Sequence, residues 1–168
     1  MPHNLTRRRM LIGAGALAVV LAALITWLAW PEDEAPPPRE RQYKATTACL
    51  LTDDQDLNGE LARAAWAGMQ DASVATLIKV QHLAITGPQT AANGLTFYNT
   101  LGVQRCTVII AAGDVPVAAM AAGYANFPSA KHVAVGGGDV RNKPITVVDA
   151  STPDAIRSGV KAIVAAAA

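Results

Sequence analysis

The sequence predicts an α/β protein: one small lobe with a mostly parallel five-stranded sheet and helices on both faces, preceded by one transmembrane helix. Three observations carry this expectation. Met10 to Trp30 contains no charged residue. From Ala48 onward, short apolar runs alternate with segments whose apolar residues recur at helical spacing. Thr107-Val108-Ile109-Ile110-Ala111 is an unbroken apolar run of the kind buried on both faces of a parallel sheet.

The apolar run comes first in the chain. At a rise of about 1.5 Å per residue, residues 10–30 cross a hydrocarbon core of about 30 Å. Arg7, Arg8 and Arg9 precede it in a basic tail (residues 1–9), and Glu32, Asp33 and Glu34 follow it. Basic residues stay on the cytoplasmic side, so the expectation is a single-pass signal-anchor in the cell membrane, N-terminus inside and the rest outside. Trp27 and Trp30 suit the far membrane–water interface. The rival is a cleaved signal peptide, whose apolar region is normally shorter and ends in a small-x-small site; Trp27-Leu28-Ala29-Trp30-Pro31 is a poor one. The arginines faintly resemble a twin-arginine export signal, and Ala14, Ala18 and Ala22 form a small-residue stripe of little weight in so alanine-rich a segment.

Pro36-Pro37-Pro38 among charges marks residues 31–44 as an extended linker. Residues 45–168 then form one domain of ordinary size. The chain has 14 Lys and Arg against 13 Asp and Glu; with Arg7 to Arg9 set inside, 11 cations face 13 acids outside. A slightly acidic domain without a basic run argues against nucleic acid as a partner.

Within the domain, Ala48 to Thr52 is the first strand and breaks into the polar turn Asp53-Asp54-Gln55-Asp56. Leu61, Ala64, Ala65, Gly68 and Met69 mark a helix, and Ile78 to Ile85 a strand ending at the Gly87-Pro88 turn. Leu95, Tyr98 and Leu101 define the buried face of a second helix. After the apolar strand at Thr107, a third helix covers about Val115 to Ala125, with strands at His132 to Val135 and Ile145 to Val148. Ser151-Thr152-Pro153-Asp154 opens the last helix with a hydroxyl cap, a proline and an acid in the first turn.

Such alternation implies a parallel sheet whose strands all end at one edge, where ligands of this architecture bind. Asp53, Asp54, Gln55, Thr86, Gly113, Asp114, Gly136, Gly137, Gly138 and Asp149 fall there. The candidate ligand contacts among them are Asp53, Asp54, Gln55, Gly113, Asp114, Gly136 and Gly137.

Four segments carry a family resemblance: Ala48-Cys49-Leu50-Leu51-Thr52-Asp53, Ala64-Ala65-Trp66-Ala67-Gly68-Met69, Val108 to Gly113, and Phe127-Pro128 before His132 to Val135. Together they resemble the first lobe of the basic membrane protein (BMP) family, the solute-binding proteins of ABC transporters, over about Ala48 to Gly137. The resemblance implies a type 1 periplasmic-binding lobe of Rossmann/flavodoxin-like kind with strand order 2-1-3-4-5, a nucleoside-like solute and an ABC permease as partner. Asp53 matches the family's acid after the first strand. The departures are several. Where the family has Asp-Lys-Ser-Phe-Asn, this chain has Asn58-Gly59-Glu60-Leu61-Ala62, so Leu61 stands for the stacking aromatic and Ala62 for the ligand amide. The usual acid after the fourth strand falls at Gly136. The second lobe is missing, and no lipoprotein cysteine directly follows the apolar segment.

In the lobe's usual order the strands opening with Cys49 and Cys106 are neighbours, which places the two cysteines level at the edge opposite the ligand. A disulfide between them is expected in an oxidising compartment, with two buried free thiols as the alternative.

Nothing points to an enzyme or to a cofactor. His3 lies in the tail, and His82 and His132 lie in predicted strands. No zinc spacing and no Gly-x-Ser-x-Gly elbow is present. Gly136 to Gly138 suits a flexible turn better than an anion cradle. Asp53, Asp54 and Asp56 suit a helix cap facing water better than a cation site, and Trp66 suits packing on the sheet. Two functions remain. One is an extracytoplasmic solute-binding lobe for a small polar ligand, completed by a second lobe from a partner or by homodimerisation. The other is a ligand-free envelope interaction module.

Overall fold

Five apolar segments pair side by side, every pair parallel, in a computed structural model that describes residues 42–168 together with Leu24 and Ile25. They are β1 (Thr47–Thr52), β2 (Lys79–Ala84), β3 (Val108–Ala112), β4 (Lys131–Val135) and β5 (Ile145–Val148). The order is β2-β1-β3-β4-β5, as the lobe resemblance implied. The basic tail, most of the apolar segment at 10–30 and nearly all of the linker lie outside the described residues. Leu24 and Ile25 are helical. Among the described residues no helix is long and apolar enough to cross a membrane.

Position in the sheet explains the strand compositions. Every residue of β3 is buried, as a central strand between two covered faces requires. The edge strand β2 is partly exposed throughout and tolerates Lys79, Gln81 and His82. Alternate side chains serve opposite faces. Leu50, Val108, Ile110, Val133 and Val135 join the core beneath α1 (Glu60–Thr76) and α4 (Pro153–Ala165). Cys49, Leu51, Ile109, Ala111 and Ala134 join the core beneath α2 (Ala91–Val103) and α3 (Asp114–Gly123).

Local chemistry sets the helix ends. Thr152 Oγ1 accepts a hydrogen bond from the Ala155 N–H at 3.1 Å, the cap expected for α4, and Thr90 Oγ1 does the same for Asn93 at 3.3 Å. At the other end of α1, Leu77 takes a left-handed conformation (φ 63°), and its N–H returns to the Ser73 carbonyl at 2.9 Å. The third helix is shorter than expected: α3 stops at Gly123 and tightens into a 3-10 turn over Tyr124–Asn126.

Cys49 and Cys106 form a disulfide with a Cα–Cα distance of 5.9 Å. The two are not level. Cys49 sits third in β1, in register with Ile109, while Cys106 precedes β3, so the bridge runs diagonally between the neighbouring strands. Both are buried, and Gln81 Nε2 on β2 lies over the bridge, 3.2 Å from Cys49 Sγ and 3.5 Å from Cys106 Sγ.

Candidate functional site

At the C-terminal ends of β1 and β3 the chain turns sharply, and these turns bring three of the expected ligand residues, Asp53, Gln55 and Gly113, together. Asp53 follows β1 and accepts the Gln55 N–H at 3.0 Å through Oδ1, an Asx turn that fixes its carboxylate. Gly113 follows β3 with φ 94°, a conformation few side chains tolerate, and precedes α3. A methyl placed on Gly113 would stand 3.7 Å from Asp53 Oδ2, so the carboxylate lies beside the start of that helix. Asp53, Gln55, Gly113, Leu61 and Ala62 line one groove of ≈150 Å³. Leu61 and Ala62 thus share the groove with Asp53.

The remaining candidates lie around this groove rather than in it. Asp54 is exposed and does not line it. Gly136, Gly137 and Gly138 have φ values of 64°, 62° and 71° and lay the β4–β5 connection on its neighbours. A Cβ on Gly136 would meet Leu61 Cδ1 at 2.7 Å, and one on Gly137 would meet the Asp114 backbone nitrogen at 2.7 Å. Three successive positive φ values differ from the alternating handedness of an anion nest. Here Gly137 and Gly138 lie close over the first turn of α3, and Gly136 over the Leu61 side chain on α1. Asp149, two strands from β3, accepts the Ser151 N–H at 2.9 Å, which holds its carboxyl below the usual range. Thr86 has its carbonyl engaged by Asn93 Nδ2 at 2.8 Å.

The acidic turn behaves differently from the expected helix cap. Gly59 occupies the N-cap of α1, and no side chain caps it. Asp56 instead adopts a left-handed conformation (φ 51°), with its Oδ1 3.0 Å from His82 Nδ1 and 3.4 Å from the Thr52 hydroxyl. Trp66 packs edge-on to His82 with ring centroids 5.0 Å apart and borders the α1 core, as its helical position suggested. The sequence reading missed this Thr52–Asp56–His82–Trp66 cluster. Its only local signal was a histidine on an edge strand. Among the described residues no group of three acids, histidines or cysteines is placed to hold a metal ion.

A larger groove of ≈480 Å³ lies at the opposite edge, lined by Tyr43, Ser73, Lys79, Gln81 and Gln104 among others. Size alone would favour it over the strand-end groove. Three of its polar side chains, however, are already engaged within the domain: Gln81 Nε2 donates to Gln104 Oε1 at 2.8 Å, and Ser73 Oγ to the Ile78 backbone carbonyl at 2.8 Å. The strand-end groove, with an acid and backbone at a helix start, remains the better candidate.

Fold and groove together define a doubly wound, all-parallel α/β lobe with its polar turns gathered at the strand ends. No known family and no curated protein matches the sequence. Among solved structures, the chain is similar to a fragment of a "putative lipoprotein" from Peptoclostridium difficile 630, at TM-score 0.60 and 14% identity, over 73% of this chain and 98% of that one. It is also similar to a transcriptional activator of the comK gene from Bacillus halodurans, at TM-score 0.48 and 17% identity, over 60% of this chain. The chain spans 33% of the length of that activator. At these identities the likeness concerns the fold.

Proposed function

We propose that this chain is a membrane-tethered, extracytoplasmic lobe of solute-binding-protein type that contacts a small polar ligand through Asp53 and the strand-end groove. The observation that carries the reading is the convergence of Asp53, Gln55, Gly113 and Leu61 on one groove of ≈150 Å³. Sites that enclose a small molecule usually measure about 300–1,000 Å³. A groove below that range accords with half a site, completed by a second lobe from a partner or from another copy, and an ABC permease is the transporter partner that the resemblance implies. The BMP resemblance makes a nucleoside-like solute the first choice. An oxidising compartment accords with the disulfide, and an envelope setting accords with the name of the lipoprotein fragment of like fold.

A second reading rests on Leu61. Its methyl groups sit against Gly136, where the family has an aromatic ring, and this packing narrows the groove. On that reading the lobe is a ligand-free envelope interaction module.

Thermal unfolding of the full chain with nucleosides, nucleobases, sugars and amino acids separates the two. A ligand present at a hundred times its Kd stabilises by about 2.7 kcal/mol, a shift of several degrees. A hit that Asp53→Ala abolishes supports the binding lobe. No shift with any of the compounds favours the interaction module.

A further inference from the structure

The fold sorts the charges of the domain into two poles. Because all five strands are parallel, every connection from strand to helix lies at one edge and every return to a strand at the other. The carboxylates of the Asp53 to Glu60 turn, Asp114, Asp149 and Asp154 belong to the strand-end edge, and Asp139 is chelated by Arg141 at 2.9 and 2.7 Å. The strand-start edge is cationic. Lys79 donates its N–H to the Thr46 carbonyl, Thr107 to Thr47, and Lys131 to Thr107, so Lys79 and Lys131 stand in one row across four adjacent strands, β2, β1, β3 and β4. The Lys44 N–H bonds the Leu77 carbonyl at 2.8 Å, and Arg105 lies in the turn that leads into β3. All four cations are exposed. The one carboxylate on the lower half of a helix, Asp71, is held by Arg157 at 2.7 and 3.0 Å.

The same edge also carries most of the exposed large apolar side chains of the domain. Tyr43 is 46% exposed, Val74 67%, Leu77 39% and Val103 75%. Val74 and Leu77 close α1, Val103 closes α2, and Tyr43 marks where the polypeptide enters the domain. Cations around protruding apolar groups are what an anionic bilayer surface attracts: the charges meet lipid phosphates, and the apolar groups enter the headgroup–acyl boundary. A nucleic-acid surface would gain nothing from Val74 and Val103.

We infer that the strand-start face, formed by Lys44, Lys79, Arg105 and Lys131 around Tyr43, Leu77 and Val103, docks on the surface of an anionic phospholipid bilayer. The strand-end groove then faces away from the lipid, open to a second lobe. The inference takes its setting from the membrane tether proposed above. Its contacts belong to the folded domain alone.

The test uses the full chain in nanodiscs of phosphatidylcholine, with or without phosphatidylglycerol, under non-reducing conditions that leave the Cys49–Cys106 bridge intact. An environment-sensitive fluorophore on Val103→Cys should shift to the blue in the anionic discs and not in the neutral ones. The shift should vanish in high salt and in the combined variant Lys79→Glu, Arg105→Glu, Lys131→Glu. The same label on Thr86→Cys, at the strand-end edge, should not respond. Resistance of the chain to alkaline extraction from the discs reports the tether separately. If the chain is extracted, the tether fails, and anionic discs added to the soluble chain should still shift the Val103→Cys label, with affinity falling about fivefold per cation removed. Equal emission in neutral and anionic discs, or a shift that survives charge reversal, would overturn the docking face. So would a response to oligonucleotides but not to anionic discs.

Discussion

Tyr98 on α2 and His132 on β4 meet in the interior, with the phenol oxygen 2.7 Å from imidazole Nε2 and both residues almost wholly buried. Burial raises the phenol's pKa and lowers the imidazole's from its ordinary 6.5. The phenol therefore keeps its proton and donates it to a neutral ring. Because the folded pKa of His132 is depressed, the unfolded chain binds more protons as pH falls below about 6.5. The stability tied to this histidine is complete above that pH and drains away as pH falls toward the lowered folded value. Urea unfolding at pH 7.5 and pH 5 should show the loss, and His132→Phe should reduce the difference. An unchanged pH dependence in that variant would refute the assignment.

Tyr98→Phe removes the donor and leaves His132 Nε2 buried without its partner. The expected cost is about 1–3 kcal/mol, read as a lower urea midpoint with an unchanged slope.

Reduction should weaken the fold considerably. The Cys49–Cys106 bridge spans 57 residues of sequence, and closing such a loop in the unfolded chain is worth ~4 kcal/mol in the chain-entropy picture. Replacing both cysteines by alanine should lower the denaturation midpoint by a corresponding amount. A double variant as stable as the oxidised protein would mean that packing around Gln81, not the bond, holds this corner.

Gly68 on α1 packs directly on the α4 backbone at Arg157, where a Cβ would collide with the carbonyl carbon and oxygen. Gly68→Ala must push the two helices apart, at a cost of about 1–3 kcal/mol. Gly159→Ala, whose methyl would meet only the Val148 side chain at 3.0 Å, should cost less. Equilibrium unfolding of both variants decides the order.

The glycine run offers a similar contrast. Gly137→Ala combines a left-handed conformation, worth roughly 1–2 kcal/mol against a side chain, with a collision against the Asp114 backbone. Gly136→Ala carries the same φ strain but meets only the movable end of Leu61. Gly137→Ala should therefore lower the melting temperature more than Gly136→Ala.

Much of this architecture was legible in the sequence because its causes are local. Ile145–Val148 and the Thr152 cap appear where the residue pattern placed them, since a short apolar run and a hydroxyl before proline act within a few residues of themselves. Where the reading failed, the deciding partner was distant in sequence. Asp56 resembled a helix cap, yet it turned toward His82, 26 residues away. The cysteines were expected level, yet the register of β1 on β3 set their bridge on a diagonal. Asp53 was legible as a strand-end acid, but its place beside Gly113 depends on β1 and β3 being neighbours.

The chain by itself determined the alternation of strand and helix, because apolar periodicity and turn chemistry are properties of neighbouring residues. The nearly balanced charge of residues 45–168, without a basic run, gave no sign of how the cations are distributed over the surface. Only the tertiary structure decided that Lys44, Lys79, Arg105 and Lys131, far apart in sequence, share one face while most of the acids share the other. The physical reason lies in the parallel sheet: each strand must be re-entered from the same edge, so whatever stands just before every strand is collected on a single surface.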